Sequence, residues 1–200
     1  MQDTDCKSDP DHCTAAFWER IIGSRVLRPA VNLESLAMSC SHGLELGLLF
    51  RLGLKWITCP RLTSLSLSNF VWDDVRTDFQ AVVTQVEDFI VRHGKTLKKL
   101  ELHDCTICVP PPLGDGTGPT PVRSWAAVWN RFADELTELV DLVVVYNSHR
   151  RYVYFLRVQE FGRFDSYSAF LPGIEEDTPA LEALVTIVKG RKRLNSRDGD

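Results

Sequence analysis

The sequence lacks several features that would place it in a specialised class of protein. No apolar run approaches the roughly 20 residues that a membrane-spanning helix needs. Residues 1–10 are polar and acidic, without the basic start and apolar centre of a secretory signal. With 23 basic and 27 acidic residues, the net charge of −4 lacks the positive excess of a general nucleic-acid binder. We therefore expect neither a membrane nor a nucleic acid as a partner, and a cytoplasmic or nuclear location.

Signatures of catalysis and of cofactor binding are also missing. The sequence contains no G-x-S-x-G, P-loop or Rossmann glycine pattern. The segment Cys105–Cys108 is a C-x-x-C, but a zinc site needs a second pair of ligands, and no second C-x-x-C or H-x-x-x-H is found. Cys6, His12 and Cys13 lie close together in a polar segment, which makes a weak case for a metal. We expect no cofactor and no metal, and six cysteines that are reduced thiols inside the cell.

The run His103-Asp104-Cys105 places a base beside a nucleophile in the sequence. Side chains of a strand alternate between two faces, so His103 is expected to point outward while Cys105 turns into the core. A dyad needs both groups on the same side. We therefore expect no enzyme activity from this run.

What the sequence does contain is a recurring strand pattern. Thr96–Ile107 reads TLKKLELHDCTI, in which L-x-x-L-x-L-x-x-C is formed by Leu97, Leu100, Leu102 and Cys105. This is the pattern of the strand segment of a leucine-rich repeat, which cannot bury its apolar face without stacked neighbours.

Three other segments carry the pattern. They are Leu62, Leu65, Leu67 and Phe70; Leu139, Leu142, Val144 and Asn147; and, as the weakest match, Leu33, Leu36 and Met38, with Cys40 one residue early. The starts are 29, 35 and 42 residues apart, whereas regular repeats run about 20–29 residues. The pattern predicts an α/β fold, an irregular leucine-rich-repeat-like solenoid with short parallel strands near 34–39, 64–68, 99–103 and 141–145. A parallel sheet in an ordinary α/β domain is the alternative.

Amphipathic helices are predicted between these strands. Thr77–His93 carries one apolar stripe, with Asp73, Asp74 and Asp78 near its start and Gly94 at its end. Ser124 is expected to cap a helix whose buried stripe is Trp125, Val128, Trp129, Phe132 and Leu136. Thr178-Pro179 should open a final helix that ends at Gly190.

The remaining segments complete a single domain over residues 1–200. Phe17–Ile22 is predicted to lie on a short helix, Val109–Val122 to form a Pro/Gly loop and Tyr152–Val158 to form a strand. Ser41–Lys55 fits neither a helix nor a strand well, and Gln159–Asp177 is mixed. Residues 1–13 and 192–200 are expected to be disordered tails.

Four pieces together resemble the C-terminal leucine-rich-repeat half of fungal F-box proteins, over roughly Asn32–Arg191. They are HGKTLKKLELHDCTI after an amphipathic helix, SWAAVWNRFADELTEL, RYVYF and EEDTPALEALVTIVKGR. The resemblance implies a protein–protein interaction module whose repeats hold the substrate of a ubiquitin ligase. In that family the F-box docks the ligase adaptor, and nothing in Met1–Ala30 resembles an F-box.

We therefore expect the chain alone to bind another protein but not the ligase adaptor. A free-standing repeat scaffold or an orphan remnant without a ligase role is the alternative, and an enzyme is a distant third.

The outward positions of the four strands are the predicted partner-binding face, since they are free of packing duty in a repeat array. The candidates are Ser66, Ser68, Lys99, Glu101, His103, Asp141, Val143 and Val145, continued on the first strands by Ser35, Ala37, Ser39 and Ser64. Val143 and Val145 would be the apolar anchors, and Lys99 and Glu101 the orienting charges. The alternative is a face that is merely solvated, or covered by the loop Val109–Val122.

Overall fold

The structure is a computed structural model that describes residues 26–39, 57–72, 74–75, 82–83, 85–109, 123–146, 151–158, 163–168 and 174–197. Its strands are β1 Ser35–Ser39, β2 Ser64–Ser68, β3 Val71–Trp72, β4 Asp74–Val75, β5 Val82–Val83, β6 Lys99–His103, β7 Thr106–Cys108, β8 Asp141–Val145, β9 Tyr152–Val158 and β10 Arg163–Ser168. Its helices are α1 Gln85–Arg92, α2 Trp125–Glu135 and α3 Asp177–Arg197, the last preceded by a 3-10 helix at Ile174–Glu176. In these ranges no helix combines the length and the apolar character needed to cross a membrane.

Four of the strands form one parallel sheet in the order β1-β2-β6-β8. This confirms the four parallel strands predicted from the leucine pattern. The alternation is as expected: Leu65 and Leu67 of β2 are buried, while Ser64, Ser66 and Ser68 are half-exposed. Across the sheet the inward residues stand in two rows, Leu36–Leu65–Leu100–Leu142 and Met38–Leu67–Leu102–Val144.

A second sheet has the order β10-β9-β7-β3, parallel except for the antiparallel pair β9–β10. The sequence predicts only β9 of these four strands. Residues 35 positions apart stand side by side in both sheets, as Leu65 with Leu100 and Trp72 with Ile107. The path from β2 to β3 is therefore repeated by the path from β6 to β7.

Two corners with left-handed backbone turn the chain from the first sheet to the second. Asn69 has φ of 59° and Asp104 has φ of 50°, values that Asn and Asp tolerate better than most residues. The Asn69 N–H donates to the His103 carbonyl at 2.8 Å, and the Asp104 N–H donates to the Val145 carbonyl at 2.8 Å. Each corner thus satisfies its backbone on the neighbouring strand.

The helices bury their apolar faces against both sheets in one core. Phe89 and Ile90 of α1 are fully buried, and the predicted stripe of α2 is buried along its whole length. Trp125 stacks on Trp129 at 4.8 Å between ring centroids and lies 4.9 Å from Trp72 of β3. Through these aromatic contacts, α2 packs against the second sheet.

Three side chains from different segments satisfy the first N–H groups of α2. The Ser124 hydroxyl accepts from Ala127 N at 3.2 Å, which confirms the predicted cap. The buried Asp177 carboxylate accepts from Ala126 N, and the Tyr152 hydroxyl accepts from Trp125 N while donating to Asp177, each at 2.8 Å. Burial raises the pKa of Asp177, and the two hydrogen bonds oppose that rise. The starts of α2, α3 and β9 are therefore tied together.

A buried carboxylate joins α1 to α2. Glu87 is 1% exposed and accepts two hydrogen bonds from Arg123 and one, at 2.9 Å, from Arg131. Arg131 also donates to Asp88 at 2.8 Å and to Glu135 at 2.7 Å. An unpaired charge at this depth would be costly, so the two guanidinium groups are required partners for Glu87.

The predicted helix Thr77–His93 is wrong at Val82–Val83. Val82–Val83 is strand β5, paired antiparallel with Asp74–Val75, and α1 begins only at Gln85. Valine is β-branched and favours extended backbone, which outweighs the helical spacing of the apolar residues. Asp74 consequently lies on a strand and not at a helix start.

The predicted end of the last helix at Gly190 is also wrong, because α3 continues to Arg197 through part of the predicted tail. Its first turn contains Pro179, where the missing N–H is not needed. Arg191 donates to the carbonyls of Leu136 at 2.6 Å and Ala133 at 3.0 Å, at the end of α2. This anchor beyond Gly190 keeps the helix in place despite the glycine.

Several predictions lie outside the described residues. These are the helix at Phe17–Ile22, the segment Ser41–Lys55, the repeat residues Cys40 and Asn147, the cluster Cys6, His12 and Cys13, the aspartates Asp73 and Asp78, the tail 1–13 and the loop after Val109.

Leu100→Ala should lower the free energy of unfolding by about 2–5 kcal/mol, because Leu100 is fully buried between its neighbours in the leucine row. Glu101→Ala, on the other face of the same strand, should cost about 1 kcal/mol or less. Urea unfolding of both variants measures the difference. Equal losses would contradict the inward and outward assignment.

His93 holds the segment before β2 in place. Its ring is 3% exposed, with Nδ1 2.7 Å from the Phe89 carbonyl and Nε2 accepting from Cys59 N at 3.0 Å. A neutral ring protonated on Nδ1 satisfies both contacts. Arg92 adds a hydrogen bond to the Ile57 carbonyl at 2.7 Å. His93 and Arg92 at the end of α1 therefore hold residues 57–59 in place through hydrogen bonds.

Stability should fall as the pH drops below about 6.5, the ordinary pKa of histidine in an unfolded chain. Burial lowers the pKa of His93, so the unfolded chain takes up a proton before the folded one does. The contribution of His93 is complete above that pH and is lost as the pH falls through the folded pKa. His93→Gln, which keeps an acceptor without titrating, should show a smaller loss in urea unfolding between pH 7.5 and 5.5. The same loss in both proteins would contradict this role.

Candidate functional site

The candidate site is the outward face of the parallel sheet β1-β2-β6-β8, called here the strand face. The pairing register arranges its side chains in three rows across the sheet. The rows are Ser35, Ser64, Lys99 and Asp141; Ala37, Ser66, Glu101 and Val143; and Ser39, Ser68, His103 and Val145. Every predicted site residue therefore lies where the alternation predicted, and their role in binding stays a prediction.

The centre of the strand face is held by an ion pair. Lys99 Nζ lies 2.8 Å from a carboxylate oxygen of Glu101, two residues along the same strand. The hydrogen bond between them raises the pKa of Lys99 and lowers that of Glu101. A hydrogen bond from the Ser66 hydroxyl on the neighbouring strand also lowers the pKa of Glu101. Glu101 is thus a charged acceptor whose position is set from two strands.

The rest of the face changes character from strand to strand. Ser35, Ala37 and Ser39 on β1 are exposed, whereas Asp141, Val143 and Val145 on β8 are half-buried. The strand face therefore changes from small and hydroxylated side chains on β1, through charged ones on β6, to partly apolar ones on β8. Apolar burial drives most protein–protein association and charged groups supply orientation, so the β6–β8 half is the better candidate for contact.

The face is small. Four strands at about 4.8 Å spacing span roughly 14 Å, and five residues at about 3.3 Å rise span roughly 13 Å. The resulting area of about 200 Å² is well below the roughly 800 Å² that each partner contributes to a standard interface. The strand face can serve as the centre of a contact, with a rim provided by neighbouring segments.

The chemistry of Cys105 does not support a nucleophile. Its thiol is 1% exposed and lies 3.6 Å from the Leu67 carbonyl and 3.7 Å from the His103 carbonyl. Burial raises the pKa of Cys105 to about 11, which keeps the sulfur protonated at neutral pH. The expected inward position of Cys105 is confirmed, with His103 on the opposite, outward side. Across the ranges that the structure describes, no group of histidine, cysteine and acidic side chains is arranged to hold a metal ion.

Sequence reasoning missed several residues that position this face. The corners Asn69 and Asp104 bond to the ends of β6 and β8, and Asp177 and Tyr152 hold the start of α2. The two corners could have been predicted from the sequence, because Asn69 and Asp104 are 35 residues apart, which is the spacing of the two clearest repeats. Asp177 had none, because its partner Ala126 is 51 residues away.

No known protein family, curated protein or solved structure matches this chain.

Proposed function

We propose that this chain is a protein-binding module, an irregular leucine-rich-repeat-like solenoid that contacts its partner through the strand face. The observation that carries the proposal is the offset of 35 residues that the pairs β2–β6 and β3–β7 share, followed by an offset of 42 residues from β6 to β8. A stacked repeat unit of strand, corner, second strand and helix produces such an offset. An array of this kind leaves the outward strand positions free for binding.

The side chains of the strand face support a protein partner over a small molecule. Small-molecule sites are concave and mostly apolar. Here the central position holds the ion pair Lys99–Glu101, flanked by serines on one side and by Val143 and Val145 on the other. Such a mixture suits an extended or folded polypeptide, with the valines as anchors and the charges fixing register.

The resemblance to the substrate-binding repeats of fungal F-box proteins supports the same direction. The proposal has no catalytic step, no cofactor and no metal, and it places the module in the cytoplasm or nucleus. Within that resemblance the partner would be a protein destined for ubiquitination. A free-standing scaffold would use the same face without a ligase.

The double variant Glu101→Arg with Val143→Asp should abolish capture of the specific partners, because it reverses the central charge and places a carboxylate at an apolar anchor. Partners captured on immobilised protein are quantified by mass spectrometry, after circular dichroism shows that the variant is folded. The matched control is Glu138→Arg with Val31→Asp, the same two changes at exposed positions outside the three rows of the strand face. Unchanged capture by the double variant would place binding elsewhere.

The chain by itself should not form a stable complex with the adaptor of a cullin–RING ubiquitin ligase, because Met1–Ala30 has no F-box-like pattern. Size-exclusion chromatography of the two purified proteins, mixed and separate, measures this. Co-elution would overturn the expectation and assign the chain directly to a ligase.

A further inference from the structure

Helix α3 presents two different faces along its length. Leu184 and Val188 are buried, and Arg191 on the same side bonds to the end of α2. On a helix of 3.6 residues per turn, the residues Ala183, Ile187, Gly190 and Leu194 share a separate stripe. All four are exposed, with Ile187 at 39% and Leu194 at 61% of the maximum.

The spacing of this stripe is that of a helix-pairing seam. Its members are separated by 4, 3 and 4 residues, the alternation of the apolar positions of a coiled coil. Gly190 adds no side chain, and a Cβ placed there would meet nothing within 4 Å. The seam therefore alternates small, large, small, large, with open space at Gly190 between Ile187 and Leu194.

This order of sizes is complementary to itself when reversed. If a second α3 lies antiparallel, with the symmetry axis between Val188 and Lys189, Leu194 of each copy faces Ala183 of the other. Ile187 of each copy then faces the open slot at Gly190 of the other. Large residues set against small ones are what close helix packing requires.

The exposed charges along α3 are complementary in the same orientation. Glu182 lies in its first half and Arg193 in its second half. With the same axis, Glu182 of each copy lies opposite Asn195 of the other, within one turn of Arg193, whereas parallel in-register pairing would set Glu182 beside Glu182 and Arg193 beside Arg193. Size and charge thus select the same partner and the same direction.

We propose that the outer face of α3 is a self-association surface that pairs with a second copy of this chain in an antiparallel, two-fold arrangement. The seam from Ala183 to Leu194 is about 17 Å long, so the pairing covers less than a standard interface of roughly 1,600 Å². The dimer is therefore weak and depends on concentration. The proposed surface is formed by a different element from the strand face.

Analytical ultracentrifugation of the full chain, loaded from about 1 µM to about 1 mM, tests the proposal. The expected result is a mass that rises from one chain toward two, and less steeply at high salt because the helix charges are screened. Ile187→Asp and Gly190→Gln should each raise the dissociation constant about tenfold or more. Gly190→Gln removes a glycine from a helix interior, so its melting temperature should not fall. Val31→Asp, at another exposed apolar residue, is the matched control and should leave the dissociation constant unchanged.

Charge reversal identifies the second copy and its orientation. Glu182→Lys and Arg193→Glu should each weaken the dimer, and the two together should restore it, because each pair is then re-formed with opposite signs. A mass of one chain over the whole range would overturn the proposal. So would a dimer that tolerates Ile187→Asp, or a double reversal without recovery.

Discussion

The one-sided burial of the parallel sheet β1-β2-β6-β8 is the constraint on which the rest of the structure depends. Each strand turns two apolar side chains inward, and only side-by-side pairing in register joins them into the rows Leu36–Leu65–Leu100–Leu142 and Met38–Leu67–Leu102–Val144. Parallel strands cannot be joined by a short turn, so the chain must leave the sheet and return after each one. After β2 and after β6, the described parts of these excursions contain β3 to β5 with α1, and β7 with α2, and both helices share one core with the inward rows. The outward rows are left without a packing role.

Apolar packing is not directional, so it does not by itself determine where the segments between the strands lie. Here directional hydrogen bonds determine their positions. The end of α1 holds residues 57–59, in the segment that leads to β2, through His93 and Arg92. Gly94 lets that end approach α2 so closely that a Cβ would lie 2.3 Å from the Glu135 carbonyl oxygen. The start of α2 is held by Asp177 and Tyr152 from the far end of the chain. Because His93, Tyr152 and Asp177 are buried, loss of either partner in their hydrogen bonds leaves an unsatisfied polar atom, which makes the positions specific.

The sequence predicts those parts of the fold and the site that depend on a local residue pattern, and not those that depend on contacts between distant segments. The four strands and the outward residues from Ser35 to Val145 were predictable, because period-two alternation of leucine is local and strong. The second sheet was mostly not predictable from the sequence. Strand β3 has only two residues, and the position of its partner Thr106–Cys108 depends on the register between β2 and β6. The helix start at Gln85 was missed because helical spacing and β-branching compete at Val82–Val83. The role of Asp177 was not predicted, because it accepts a hydrogen bond from Ala126, which lies 51 residues away in the chain.

The two proposed surfaces have a consequence for binding strength when they are considered together. The strand face offers about 200 Å² at its centre, which is little for a stable one-to-one complex. The outer face of α3 and the strand face are formed by different elements, and α3 packs against both α2 and β8. A pair of chains joined through α3 would carry two strand faces on one particle. A partner with two or more copies of the recognised segment would then bind at a high effective concentration of the second face, and avidity would offset the small area of each.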